Sequence, residues 1–132
     1  MMKKTDLDIL LKSQQGELDA VMMYHALADT VKDPKDRMVF RQLAAEEGRH
    51  AAVFKSITNR TLTPKKAKSV FLSLLYKVLG KKRLYPLIAQ GEYAAMKTYE
   101  PVAKRYPQVQ SVKDDEKRHG DTVAALLNKE SK

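Results

Sequence analysis

Two stretches of the chain, Glu46-Glu47-Gly48-Arg49-His50 and Asp115-Glu116-Lys117-Arg118-His119, set a carboxylate and an imidazole three residues apart. On a helix, residues at i and i+3 share a face, so each stretch can offer one oxygen and one nitrogen ligand to a single point. Upstream of each stands a Gln-Gly-Glu, ending at Glu17 and at Glu92. One Glu on each of two helices with Glu-x-x-His on each of two others is a ligand set for a pair of metal ions held between helices. The chain has no cysteine, so thiolate zinc sites, iron–sulfur clusters, disulfides and thiol catalysis are excluded. Carboxylate and imidazole donors suit iron or manganese, and they also accommodate zinc.

The two halves are related by an internal repeat. QGELDAVMMYHALA, Gln15 to Ala28, matches QGEYAAMKTYEPVA, Gln90 to Ala103, with Gln-Gly-Glu and a tyrosine in register. Glu17 thus corresponds to Glu92, Tyr24 to Tyr99, Glu47 to Glu116 and His50 to His119. Stripes alternating by three and four residues run through Leu10, Gln14, Glu17, Val21 and Tyr24, and through Phe40, Leu43, Glu47, His50, Phe54 and Ile57. In the second half they run through Tyr85, Ile88, Glu92, Ala95, Tyr99 and Val102, then Val109, Val112, Glu116, His119, Val123 and Leu126. All six candidate metal ligands fall on these apolar stripes. Carboxylates on an apolar face each cost several kcal/mol of desolvation and repel one another unless cations meet them. Two divalent ions carry four positive charges for the four carboxylates. Arg49 and Arg118, two residues from Glu47 and Glu116, point off the stripe and do not supply that balance.

The elements that position these residues are helical throughout. Glycine and proline are scarce, and Ala, Leu, Lys, Glu, Gln and Met are abundant. A first helix is predicted from a cap at Thr5 or Asp6 to about Val31. Asp33-Pro34 is a cap and first turn for a second, from about Lys35 to Thr58. Thr63-Pro64 opens a shorter helix that Gly80 stops. Leu84 to about Arg105 forms the next long helix, bent by Pro101 near its end, and Pro107 opens the last, which reaches about Leu127. Short turns make the first pair, about 5–58, and the last pair, about 84–128, antiparallel hairpins. The middle helix, about 24 Å long at 1.5 Å per residue, is a crossover connecting the halves of a four-helix bundle. At 132 residues the chain reads as one all-α domain able to bury about two-thirds of its unfolded surface.

The net charge of +9 is concentrated in one place. Between Thr61 and Arg83 stand Lys65, Lys66, Lys68, Lys77, Lys81, Lys82 and Arg83, with no acid among them. A basic amphipathic segment admits a membrane surface or a nucleic acid as partner. Packing of its apolar face over the bundle or on a second subunit is the more economical reading. The chain turns charged at its start and has no apolar run of about 20 residues, so neither a leader nor a membrane span is expected, and the cytoplasm is the default location.

QQGELDAVMMYHALAD, AAEEGRH, IAQGEYAAMKTYEPVAKRYP and DDEKRH together resemble the rubrerythrin family of the ferritin-like superfamily over nearly the whole chain. They are similar also to the ferritin-like domain attached to some vacuolar-type iron transporters. The resemblance implies a non-haem centre of two Fe ions in which Glu47 and Glu116 bridge, Glu17 and Glu92 bind terminally, and His50 and His119 each bind one ion. It implies oxidation of Fe(II) by O2 or hydrogen peroxide, as a ferroxidase or a peroxide reductase, and a homodimer. Two departures bear on the peroxidase reading: the cysteine site that delivers electrons in rubrerythrins is missing, and Ala95 stands where they tend to carry a further glutamate. A peroxidase of this kind needs an external electron donor. Tyr24 and Tyr99, two turns from Glu17 and Glu92, are candidates for hydrogen bonding to ligands or for electron transfer, against the plainer role of core tyrosines. Glu46 and Asp115 are candidates for outer support of the ligands, against a solvated position, and His25 lies off the stripe, on the surface. The competing class is non-enzymatic, a metal-binding or basic interaction module acting through Lys65 to Arg83.

Overall fold

The computed structural model describes residues 2–128. Among them are five helices and no strand: α1 Lys4–Thr30, α2 Pro34–Thr58, α3 Ala67–Leu79, α4 Lys81–Ala103 and α5 Pro107–Asn128. The chain divides between Leu74 and Leu75 into two compact units. In the first, α1 packs on α2; in the second, α4 packs on α5.

Local chemistry sets several of the helix ends. Asp33 caps α2, its carboxylate accepting from the backbone N–H of Lys35 at 2.8 Å and of Asp36 at 3.4 Å, with Pro34 in the first turn. Asn59 closes α2 in the left-handed conformation (φ 55°), a position Asn tolerates better than most residues. Gly80 takes φ 75° between α3 and α4, a backbone angle that suits glycine, and ends α3 there as expected. Two ends differ from expectation. Neither Thr5 nor Asp6 caps α1; the cap position is Lys3, without a side-chain bond, and Asp6 lies buried in the first turn. The third helix starts at Ala67 rather than at Thr63-Pro64. Asp19 accounts for this delay, because its Oδ1 accepts from the Lys65 backbone N–H at 2.8 Å and so ties the segment to α1.

The first hairpin is antiparallel, with the start of α1 against the end of α2. Thr58 Oγ1 donates to Gln14 Oε1 at 2.6 Å, and Gln14 Nε2 donates to the Arg60 carbonyl at 2.8 Å. Its apolar core is Leu10, Tyr24, Leu27, Ala28, Val31, Phe40, Leu43 and Phe54, with the Tyr24 and Phe40 rings stacked at 5.7 Å. The predicted stripes hold. In α5 all six stripe residues, Val109 through Leu126, are buried, and in α4 Tyr85, Ile88, Glu92, Tyr99 and Val102 are. In α1, by contrast, the polar Ser13, Gln14 and Asp19 are buried while Leu7, Leu11 and Leu18 are only partly so. The hydrogen bonds of Gln14 and Asp19 to 58–65 give the physical reason, since that segment covers a second face of α1.

Gly120 answers a steric demand within the second hairpin. A Cβ there would collide with the Tyr93 ring, 2.8 Å from Cζ and 2.9 Å from Cδ1. The ring is also tethered at its far end, where Tyr93 Oη donates to Asp121 Oδ1 at 2.5 Å. In the first hairpin the corresponding residues are Leu18 and Ala51, so the larger side chain and the glycine occur together in one copy of the repeat and in neither position of the other.

Candidate metal centre

Each hairpin assembles its own three-residue group. In the first, α1 supplies Glu17 and α2 supplies Glu47 and His50, one helical turn apart. His50 Nδ1 lies 2.9 Å from Glu47 Oε1, its N–H donating to the carboxylate, and 3.6 Å from Glu17 Oε1. In the second, α4 supplies Glu92 and α5 supplies Glu116 and His119. There His119 Nδ1 lies 3.3 Å from Glu116 Oε1 and 3.6 Å from Glu92 Oε2. The two groups repeat each other in residue type, in helix of origin and in the atoms that approach.

All six are buried: Glu17 and Glu47 at 1% exposure, Glu116 at 2%, His50 at 4%, Glu92 at 7% and His119 at 0%. Two carboxylates with one imidazole between them leave each group with a net negative charge even when the imidazole is protonated. Such charge is costly in a buried place without a cation. The donors are oxygen and imidazole nitrogen, aimed at one another at distances that an ion of first-row size would replace by ligand bonds. The residues present therefore fit a metal ion in each hairpin. Metal identity is not encoded in this geometry, which suits iron, manganese and zinc alike.

Around the candidate ligands, one expectation is revised. Glu46 is buried at 4% exposure, not solvated, and accepts from Gln42 Nε2 at 3.3 Å. A carboxylate adjacent in sequence to Glu47 thus belongs to the interior of the hairpin. Its counterpart Asp115 is partly exposed and pairs with Arg118 Nη2 at 3.2 Å. The hairpins are therefore alike in their six ligand candidates and unlike in what stands next to them. Glu46 lies one residue from the Glu47 stripe, which is why spacing alone places it outside. Tyr24 and Tyr99 are buried at 2% and 4%, and Tyr24 stacks on Phe40, an arrangement in keeping with core tyrosines. His25 is exposed, as are Arg49 and Arg118.

The apolar face of α3, expected to pack over the bundle or on a second subunit, is exposed in the single chain: Val70, Phe71, Leu74 and Val78 are between 57% and 72% accessible. No helix among the described residues is long and apolar enough to cross a membrane.

No curated protein and no solved structure matches the chain. A family model does, the one described as Rubrerythrin, and it covers residues 8–127. That span contains both hairpins and every one of the six buried ligand candidates, and on it the all-α, ferritin-like chain belongs to the rubrerythrin family.

Proposed function

We propose that this chain is a non-haem di-iron protein in which Glu17, Glu47, His50, Glu92, Glu116 and His119 hold two iron ions, and that it oxidises Fe(II) with O2 or hydrogen peroxide. The observation that carries the reading is the duplicated buried group, a Glu and a Glu-x-x-His with the imidazole within 3.6 Å of both carboxylates in each hairpin. Glu47, His50, Glu116 and His119 are all buried donors of the right chemistry. Membership of the rubrerythrin family supports the di-iron reading of these residues.

A bound iron pair supplies two electrons to an oxidant at one place. With peroxide as oxidant, two Fe(II), one H2O2 and two protons would give two Fe(III) and two waters. The protein's residues set the direction of this exchange. Four carboxylates neutralise the four charges of two Fe(II) and stabilise the six charges of two Fe(III) still more, which favours the oxidised state. By the family resemblance, Glu47 and Glu116 would be shared between the two ions, and Glu17 and Glu92 would each hold one. To bind an ion through Nδ1, the His50 imidazole would carry its proton on Nε2 instead of directing it at Glu47. Ferroxidase activity is the preferred reading within the proposal. There Fe(II) is itself the electron source, whereas a peroxidase cycle requires a separate reductant.

The deciding experiment is elemental analysis after anaerobic Fe(II) loading and removal of excess metal, followed by oxidant consumption. About two irons per chain are expected, with many equivalents of added Fe(II) oxidised per chain. Absence of retained iron in the wild type overturns the reading. Glu47→Ala or Glu116→Ala should each lose both ions, because a bridge serves two; retention of both ions in either variant removes the bridging assignment.

A further inference from the structure

α3 is apolar on more than one side and presents part of that surface to solvent. Ser69 is buried at 6% exposure, and Ser73 is hydrogen-bonded at 3.3 Å to Thr30 Oγ1 of α1. The serines thus face the protein. Leu72, Leu75 and Leu79 are partly buried, while a second set of large apolar residues faces out: Val70 is 68% exposed, Phe71 60%, Leu74 57% and Val78 72%. At 3.6 residues per turn these four occupy one continuous stripe, with Lys77 at one edge and Lys68 at the other. A helix that had settled all of its apolar surface by folding alone would not leave such a stripe in solvent. Isolated exposed apolar residues, such as Met38 elsewhere on the chain, are ordinary; four contiguous ones on a single helix mark a contact surface.

Charge identifies the occupant. The 61–83 segment carries Lys65, Lys66, Lys68, Lys77, Lys81, Lys82 and Arg83 and no acid. A second copy of the chain laid on the same face would bring two such acid-free segments together, at the expense of like-charge repulsion. A nucleic acid would engage the cations through its phosphates and leave Phe71 and Leu74 in water. An anionic lipid surface satisfies both features at once, with acyl chains for the stripe and headgroups for the lysines that border it. The helix has 13 residues, a length of about 20 Å, too short for a hydrocarbon core of about 30 Å. It can lie in the interface and cannot span it.

We propose that α3 is an interfacial membrane-binding helix, which inserts Val70, Phe71, Leu74 and Val78 among the acyl chains of an anionic bilayer while the flanking lysines pair with its headgroups. The mode is peripheral and reversible. Lys68 and Lys77 bury their methylene stems beside the stripe and raise their ammonium groups to the headgroup level. The proposal is independent of the metal chemistry, because none of these residues is a candidate ligand.

The test is flotation of the full chain with vesicles of phosphatidylcholine and phosphatidylserine in equal parts, compared with phosphatidylcholine alone. Binding is expected to the anionic vesicles, to fall at least about tenfold when NaCl rises from about 0.1 M to about 0.5 M, and to be weak on neutral ones. The double substitution Phe71→Asp with Leu74→Asp should reduce binding by at least about tenfold. Its helicity by circular dichroism and its iron content should equal those of the wild type, since both side chains already face solvent. Substituting Lys65, Lys66 and Lys68 by Gln should weaken binding by a similar factor while leaving the apolar stripe in place. The proposal is overturned if the wild type does not float, if Phe71→Asp with Leu74→Asp floats unchanged, or if neutral vesicles bind as well as anionic ones. It is equally overturned if the chain shows no vesicle binding and instead forms a concentration-dependent dimer that the aspartates disrupt, or binds duplex DNA.

Discussion

At Gly120 the absence of one methyl group is what lets the Tyr93 ring occupy its place in the second hairpin. Gly120→Ala should therefore destabilise the protein by about 1–3 kcal/mol, the usual cost of forcing an extra carbon into a packed position. Tyr93→Leu combined with Gly120→Ala recreates the pair found in the first hairpin, and a double-mutant cycle of thermal melts should show most of that loss recovered. Non-recovery would mean that the clash is not the reason for the glycine. The same tyrosine tunes Asp121. Its hydroxyl, with the Lys117 ammonium 3.0 Å away, holds the Asp121 carboxyl below its ordinary value of 3.8, while the Tyr93 phenol is pushed up from 10.0, chiefly by the hydrogen bond to Asp121. In Tyr93→Phe the Asp121 carboxyl should titrate closer to 3.8, read by carboxylate NMR. Because the folded value is depressed, the associated stabilisation is present above 3.8 and is lost as pH falls through the folded value. It is small, since the group is exposed. None of this was legible in the sequence alone: Tyr93 and Gly120 are on different helices, and only their joint departure from Leu18 and Ala51 hints at contact.

Among the elements, the start of α2 was the most readable feature. Asp33-Pro34 announces the start of α2 because the cap and the first turn are local, and Asp33→Ala should cost about 1 kcal/mol in a thermal melt. The start of α3 was misplaced at Thr63-Pro64 for the converse reason. Its position depends on Asp19, 46 residues away, whose carboxylate holds the Lys65 backbone N–H. Asp19→Ala should speed amide hydrogen exchange at Lys65 with little change elsewhere, and unchanged exchange there would separate the two features. Periodicity located the buried stripes of α2, α4 and α5, because there the apolar and ligand residues share one face. It was less informative for α1, where Gln14 and Asp19 are buried by partners distant in sequence.

For the molecule as a whole, the six ligand candidates were legible because burial and type coincide: a carboxylate on an apolar stripe is conspicuous, and its recurrence in a repeat more so. Metal should stabilise the fold in proportion to its affinity, by about 2.7 kcal/mol at a hundredfold excess over Kd. Chelation should reverse the rise in Tm, and an unchanged Tm on loading would place the ions outside the folded core. Replacing Glu17, Glu47, Glu92 and Glu116 together by Leu or Met should raise the Tm of the metal-free protein, since buried carboxylates are a liability until an ion joins them. Localisation of charge was also legible, but the outward direction of the α3 stripe was not, because periodicity defines a face without saying which way it turns.

The pairing of Tyr93 with Gly120 has a consequence for how a duplicated chain finds its native state. Repeated halves invite exchange, with a helix of one copy docking on the partner helix of the other, and such misassembly is a characteristic hazard of repeats. Were α4 to dock on α2 in the equivalent register, Tyr93 would meet Ala51 where it needs a glycine. One bulky ring and one missing methyl group act as a key and its lock, and they penalise the wrong partnership at the stage when hairpins form.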